Sequence, residues 1–395
     1  MFLGKDFFTN RTPKESKVAQ PSGTYISVTT SGEEVRAFLP APLPPSVILP
    51  GTSLAAAEKA IHDLNLVAQM VPSLDWFLYG FVRKEAVLSS QIEGTQATLT
   101  DLLAFEAQEN ETPTPDVEEV CNYVEALKYA RGQLASAKGL PLSMRLLNET
   151  HKRLMRGVRG AGKAPGQVRK TQNWIGGSRP GNAAFVPPPP GKLPELLKNL
   201  EQFLHGDTPI SPLARAGIAH VQFETIHPYL DGNGRIGRLL IALLLEHWKV
   251  LPHPLLYLSL FFRRHQAEYY RRLSLVRAEG DWEGWLDFFF DGVATTGEEA
   301  VKLARELFAL VTADRSRILA SSTASVYALR LFELLPSNPM VSVNTAIRLL
   351  DTTKPTAGKA VDALVDAGVL VETTGRERGR QFVYAEYFNR LGAEE

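Results

Sequence analysis

Cysteine is nearly absent: Cys121 is the single one among 395 residues. An intrachain disulfide framework and a Cys-rich zinc site are thereby excluded, and the usage fits a reducing compartment. Charge of one sign is also lacking, because 43 Lys and Arg offset 43 Asp and Glu, so no whole-chain field draws the protein to nucleic acid or to an anionic membrane. Long apolar runs are missing too. The longest, Leu239 to Leu245, falls far short of the roughly 20 residues that a membrane-spanning helix requires. The first residues, MFLGKDFFTN, turn polar before an apolar stretch develops, which does not read as a secretory signal. A cytoplasmic protein with no membrane contact is expected. With 44% hydrophobic and 22% charged residues the chain has the composition of a folded protein, and its length predicts two or three domains at roughly 100 to 200 residues each.

Residues 1–52 mix Thr, Ser and Gly with FLPAPLPPSVILP, whose prolines fix φ, and predict an extended N-terminal arm. From Ser53 to Leu204 apolar residues recur at three- and four-residue spacing, as in SLAAAEKAIHDLNLVAQM and PLSMRLLNETHKRLMRG. That spacing predicts a helical bundle, with an N-terminal helical region at 53–115 and a core at 116–320. Gly- and Pro-rich pieces interrupt it. There, β-favouring Val168 and Trp174-Ile175 sit between turn residues, predicting a short hairpin that includes Gly176, and four prolines at 187–190 force an extended exit. Residues 321–395 differ in pattern: helices at Ser325–Leu335, Val343–Leu350 and up to Gly368, then VLVETT, turn-rich GRERGR and strand-like QFVYAEY. Three helices and a two-strand wing predict a winged helix-turn-helix. The fold class is mainly α.

The densest cluster of chemistry is His227-Pro228-Tyr229-Leu230-Asp231-Gly232-Asn233-Gly234-Arg235-Ile236-Gly237-Arg238, running straight into the apolar helix LLIALLLEHW. A loop feeding a helix N-terminus presents free N–H groups and partial positive charge, and glycines let a backbone approach a ligand closely. Arg235 and Arg238, three apart, share a helix face that suits phosphate oxygens. Asp231 offers a hard oxygen ligand for Mg²⁺, and His227 is a candidate general base that is neutral at its ordinary pKa.

These twelve residues fill every position of the Fic signature, His-Pro-Phe/Tyr-x-Asp/Glu-Gly-Asn-Gly-Arg-x-x-Arg, and the chain resembles the Fic family over roughly residues 55–300, including QNWIGG, VPPPP and LYLSLFFRRHQAEYYRRL. The resemblance implies a Fic-type helical bundle with a short β-hairpin flap. It implies transfer of AMP from ATP to a Ser, Thr or Tyr hydroxyl of a target protein, with pyrophosphate released. By position, His227 would deprotonate the hydroxyl, Asp231 would hold Mg²⁺, and Gly232, Asn233 and Gly234 would line a phosphate cradle. Arg235 and Arg238 would steady the β and γ phosphates, with Gln222 and His265 near the adenosine. Val168, Trp174, Ile175 and Gly176 resemble the flap that pairs with a target's main chain, a mode that selects backbone shape more than sequence. Relatives often form homodimers, so a homodimer is implied as well.

Upstream, Ser89-x-x-x-Glu93-Gly94 resembles the family's inhibitory motif. It implies that Glu93 pairs with Arg238 and denies that arginine to ATP. In some relatives the same glutamate supports removal of AMP. At residues 321–395, eight basic residues face nine acidic ones, and only Lys354, Lys359, Arg376, Arg378 and Arg380 cluster, so DNA and a protein contact stand as equal alternatives for the winged helix. A DNA-binding regulator whose core senses nucleotide, and a Fic enzyme with another donor, are the rival readings.

Overall fold

A computed structural model describes residues 22–70, 74–107, 112–157, 162–376 and 379–392. Its first elements are two strands, β1 (Gly23–Thr30) and β2 (Glu33–Pro40), paired antiparallel from Gly23 opposite Pro40 to Thr30 opposite Glu33. Ser31 and Gly32 both take left-handed φ, 50° and 78°, as a two-residue turn matched to strand twist requires. The stretch expected as an extended arm therefore contains a hairpin, because the β-branched and aromatic residues of TYISVTT favour a pleated strand. Residues 1–21 of that arm lie outside the described residues.

Helices follow: α1 (Gly51–Met70), α2 (Leu74–Ile92), α3 (Leu99–Glu106), α4 (Pro115–Ala135), α5 (Met144–Leu154), α6 (Leu193–His205), α7 (Pro212–Ile226), α8 (Asn233–His247), α9 (Ser259–Arg264), α10 (Gln266–Glu279) and α11 (Trp282–Ala320). Their starts follow from capping chemistry. Thr98, Thr114, Ser143 and Ser211 each accept a first-turn N–H, and such a cap is worth about 1 kcal/mol. α7 and α8 are buried nearly all round and pack on each other at the centre, the placement expected of helices without a polar face. α1 lies along α11 and buries Ala57, Ala60, Ile61 and Leu64.

The C-terminal elements are α12 (Val326–Leu334), β3 (Met340–Ser342), α13 (Val343–Leu350), α14 (Lys354–Asp366), β4 (Val371–Glu372), β5 (Gln381–Val383) and α15 (Ala385–Gly392). The sheet order is β3-β5-β4, both pairings antiparallel. β3 and α15 were not expected: three residues are too few to show a period of two, and QFVYAEY stops being strand at Val383. Arg378 lies outside the described residues. This module docks on α2, where the buried Lys84 ammonium donates to the Leu391 carbonyl at 3.3 Å. No helix among the described residues is long and apolar enough to cross a membrane.

Candidate active site

His227 caps the end of α7 with φ 50° and ψ 63°, a left-handed conformation that costs an L-residue about 1–2 kcal/mol and so must be held from outside. Its N–H donates to Phe223 O at 2.9 Å, and its carbonyl accepts from Arg169 Nε at 2.9 Å. The ring nitrogen Nδ1 is enclosed, with no hydrogen-bond partner among the described residues. Burial, with the positive charges of Arg169 and Arg277, lowers the imidazole to about 3. The neutral ring expected from an ordinary pKa is thus neutral for another reason: the site disfavours a buried cation.

The loop after it is closed by side chains. Asn233 Oδ1 accepts from the Tyr229 N–H and its Nδ2 donates to the Tyr229 carbonyl, both at 2.9 Å. Its side chain thereby closes the loop on Tyr229. His151 supports the next turn. The Gly166 N–H donates to Nδ1 at 2.8 Å, so Nε2 carries the proton and donates to the Asp231 carbonyl at 2.9 Å. The His151 ring stacks on Tyr229 at 3.9 Å and 7°, and burial lowers its pKa to about 4. Asp231 directs a 44% exposed carboxylate outward, with Oδ1 accepting from the Gly232 N–H at 2.6 Å. Gly232 has φ 75°, and a Cβ there would meet Met155 Sδ at 2.7 Å, so glycine is required twice over.

Gly234 opens the first turn of α8, where a Cβ would fall inside the Glu93 carboxylate. That carboxylate, 35% exposed, receives Arg238 Nη2 at 2.7 Å, while Ser89 accepts Arg238 Nε through Oγ at 2.9 Å and Nη2 through its carbonyl at 2.8 Å. Gly94, φ 95°, ends the turn that carries Glu93. Burial pushes the Glu93 carboxyl up, but Arg238, by charge and hydrogen bond, outweighs it and holds the group below the usual carboxylate range. The structure thus gathers Ser89, Glu93, Gly234 and Arg238 at one helix terminus.

Other expected residues make contacts of their own. Arg235 donates through Nη1 to Glu119 Oε2 at 3.3 Å and brings Nη2 to 3.9 Å from the Asp231 carboxylate, because a buried guanidinium needs a carboxylate. Gln222 donates to the Ala41 carbonyl of the N-terminal segment at 3.1 Å, and His265 is exposed at the junction of α9 and α10, against Phe261. The expected hairpin at 168–177 reduces to one antiparallel bridge, Ile175 with Phe185. A short 3₁₀ turn at Pro180–Asn182 and the prolines from Pro187 onward leave no room for a ladder. Val168 packs on the main core, Trp174 packs on Val35, Ala37 and Val186, and exposed Gly176 has φ 68°.

Residues 52–132 match a profile described as Fic/DOC family N-terminal, and residues 141–245 match the Fic/DOC family itself. The first matched region contains Glu93 and the second contains the loop from His227 to Arg238. It is 31% identical over 178 residues to the Aquifex aeolicus protein named "Probable protein adenylyltransferase aq_aa38", covering 44% of this chain and 51% of that one. It is 27% identical over 240 residues to Protein adenylyltransferase Fic of Drosophila grimshawi, covering 60% of this chain and 45% of the relative. The chain thus spans about half the length of the curated relatives it matches. A crystal structure of a Fic family protein from Desulfovibrio desulfuricans G20 shares the fold, with TM-score 0.57 at 22% identity, over 86% of this chain and 98% of that one.

Within the two matched regions, sequence reasoning missed Arg169, His151 and the pair Glu119–Thr95. Thr95 Oγ1 donates to Glu119 Oε2 at 2.7 Å and ties the segment after Gly94 to Arg235. No local signal marks these residues, since each meets its partner across many intervening positions. Two further buried acids flank Arg238: burial raises Glu224 to about 7 against the pull of Arg238, and Glu85 to about 7 against hydrogen bonds from Ser259.

Proposed function

We propose that the chain is an autoinhibited protein adenylyltransferase. It transfers AMP from ATP to a Ser, Thr or Tyr hydroxyl of a target protein, with Glu93 as the built-in brake. The observation that carries the reading is the Glu93 carboxylate at the α8 N-terminus, bound to Arg238, in the volume an anionic ligand would take. While Glu93 stays there, Arg238 has no fork to spare for a γ phosphate.

With Glu93 withdrawn, the α8 N-terminus and Arg238 receive the phosphates. The target oxygen bonds to the α phosphorus, His227 takes the hydroxyl proton, and the bond to the bridging oxygen breaks so that pyrophosphate leaves. A base held at about 3 is weak, and the negative charge of ATP arriving beside it raises its proton affinity. Mg²⁺ fits here through Asp231, since that ion uses one or two carboxylates plus substrate phosphates and keeps its waters. Bound, it would neutralise phosphate charge.

The decisive assay compares AMP incorporation from α-labelled ATP and Mg²⁺ by the unmodified chain, Glu93→Gly, and Glu93→Gly with His227→Ala, each alone and with lysate. Labelling is expected to rise in the first variant and vanish in the second; no rise in Glu93→Gly sinks the reading.

We read α12–α14 with the β3-β5-β4 sheet as a winged helix-turn-helix. Exposed Lys354 and Lys359 on α14, with Arg376 and Arg380 on the wing, give it a basic edge for an anionic partner. Titration with duplex DNA at two salt concentrations tests DNA as that partner: retention that weakens with salt supports it.

A further inference from the structure

Four consecutive carbonyls of the loop bearing His227 accept hydrogen bonds from one five-residue segment. Arg169 Nη2 donates to Ile226 O at 3.4 Å, its Nε to His227 O at 2.9 Å, and its backbone N–H to Pro228 O at 2.9 Å. Asn173 Nδ2 completes the row on Tyr229 O at 3.1 Å. The same guanidinium reaches outward to Thr171 O at 3.2 Å and Pro188 O at 2.6 Å, and Gln172 Nε2 reaches Pro187 O at 2.8 Å. Arg169 is 3% exposed. Burying a guanidinium among main-chain carbonyls is costly unless its fork is satisfied, and four hydrogen bonds from its rigid plane satisfy it here.

We propose that Arg169 is a positioning residue for His227. It fixes the left-handed turn that aims the imidazole, and it joins that turn to the 171–188 segment. His227 at φ 50° is in a conformation the local sequence does not favour, and its carbonyl is held by Arg169 Nε. An ammonium on a flexible stem has neither the reach nor the planarity to hold carbonyls of three segments at once. The proposal rests on the adenylyltransferase reading for its kinetic consequence, though not for its structural one.

The test places Arg169→Lys and Asn173→Ala in the Glu93→Gly chain. It measures kcat and KM for ATP, thermal unfolding, and the His227 imidazole NMR resonance, assigned by its loss in His227→Ala. Arg169→Lys is expected to lower kcat about 100-fold with KM for ATP changed less than about twofold, since misaiming a base harms the transition state and not ground-state binding. The His227 resonance is expected to shift as well. Asn173→Ala, which releases Tyr229 alone, moves both readouts the same way by less, and it decides the matter if Arg169→Lys does not fold. An unchanged kcat with an unmoved resonance overturns the proposal. If Glu93→Gly itself transfers no AMP, the adenylyltransferase reading falls. The resonance then decides alone: a shift supports the role of Arg169, and an unmoved signal ends it.

Discussion

Glu93 and Gly234 adjoin at the first turn of α8, the carboxylate lying where a side chain on the glycine would be. A methyl group at 234 therefore contests the volume of the brake. Gly234→Ala is expected to cost the unmodified chain about 1–3 kcal/mol through overpacking. It is expected to cost distinctly less in Glu93→Gly, where the carboxylate is gone; the gain in helix propensity, about 1 kcal/mol, is common to both and cancels in the cycle. Urea midpoints of the four proteins give the coupling, and equal losses in both backgrounds would mean that the two residues do not compete.

Glu224 and Glu85 titrate at about 7 in the folded chain, raised by burial from an ordinary 4.5. Between those values the folded state binds more protons than the unfolded one, so each acid contributes stability that is present at low pH and lost as pH rises through 7. Glu224→Gln removes one such group. Its Tm relative to the parent is expected to climb between about pH 5 and pH 8, read by calorimetry at each pH. A difference that stays flat would show Glu224 to be ionised throughout.

Arg235 is buried with Glu119, which also accepts from Thr95. Glu119→Gln removes the nearer, buried counter-charge of the guanidinium and leaves only the exposed Asp231 carboxylate at 3.9 Å, so a loss of about 3 kcal/mol in denaturant unfolding is expected. Adding Arg235→Met should restore much of that loss, because with the guanidinium gone no buried charge is left short of its partner. Failure of the second change to help would point to a role for Arg235 beyond its ion pair.

Leu391 packs against Gly80, and its carbonyl receives Lys84 from the helix that carries Ser89. Leu391→Ala opens a cavity between α15 and α2, and a cost of about 2–5 kcal/mol is expected. Amide exchange should then quicken along α2 from Gly80 onward, while α7 and α8 keep their protection. Unchanged exchange in α2 would show that the C-terminal module does not brace it.

Helices α12, α13 and α14 were legible to within a few residues, because apolar periodicity and Ser or Pro start signals act within one turn. The loop from His227 to Gly232 leading into α8 was legible for the same reason: its parts are neighbours in sequence. β3 was not, since three residues pair with Gln381–Val383 across the whole module. The hairpin at 23–40 was hidden by the prolines that follow it. The meeting of Glu93 with Arg238 came from a family resemblance and not from spacing, which at four residues says nothing about a helix 145 positions away.

Local chemistry within the chain dictates where helices start, which face of each is apolar, and that a glycine-broken loop leads from His227 into a helix N-terminus. Backbone hydrogen bonds and side-chain neighbours three or four residues apart suffice for all of that. The partner of each buried charge is settled by folding alone. Arg238 with Glu93, Arg235 with Glu119, and Arg169 with the carbonyls of 226–228 are contacts between distant segments, made because a charge removed from water must find its partner wherever packing has put one.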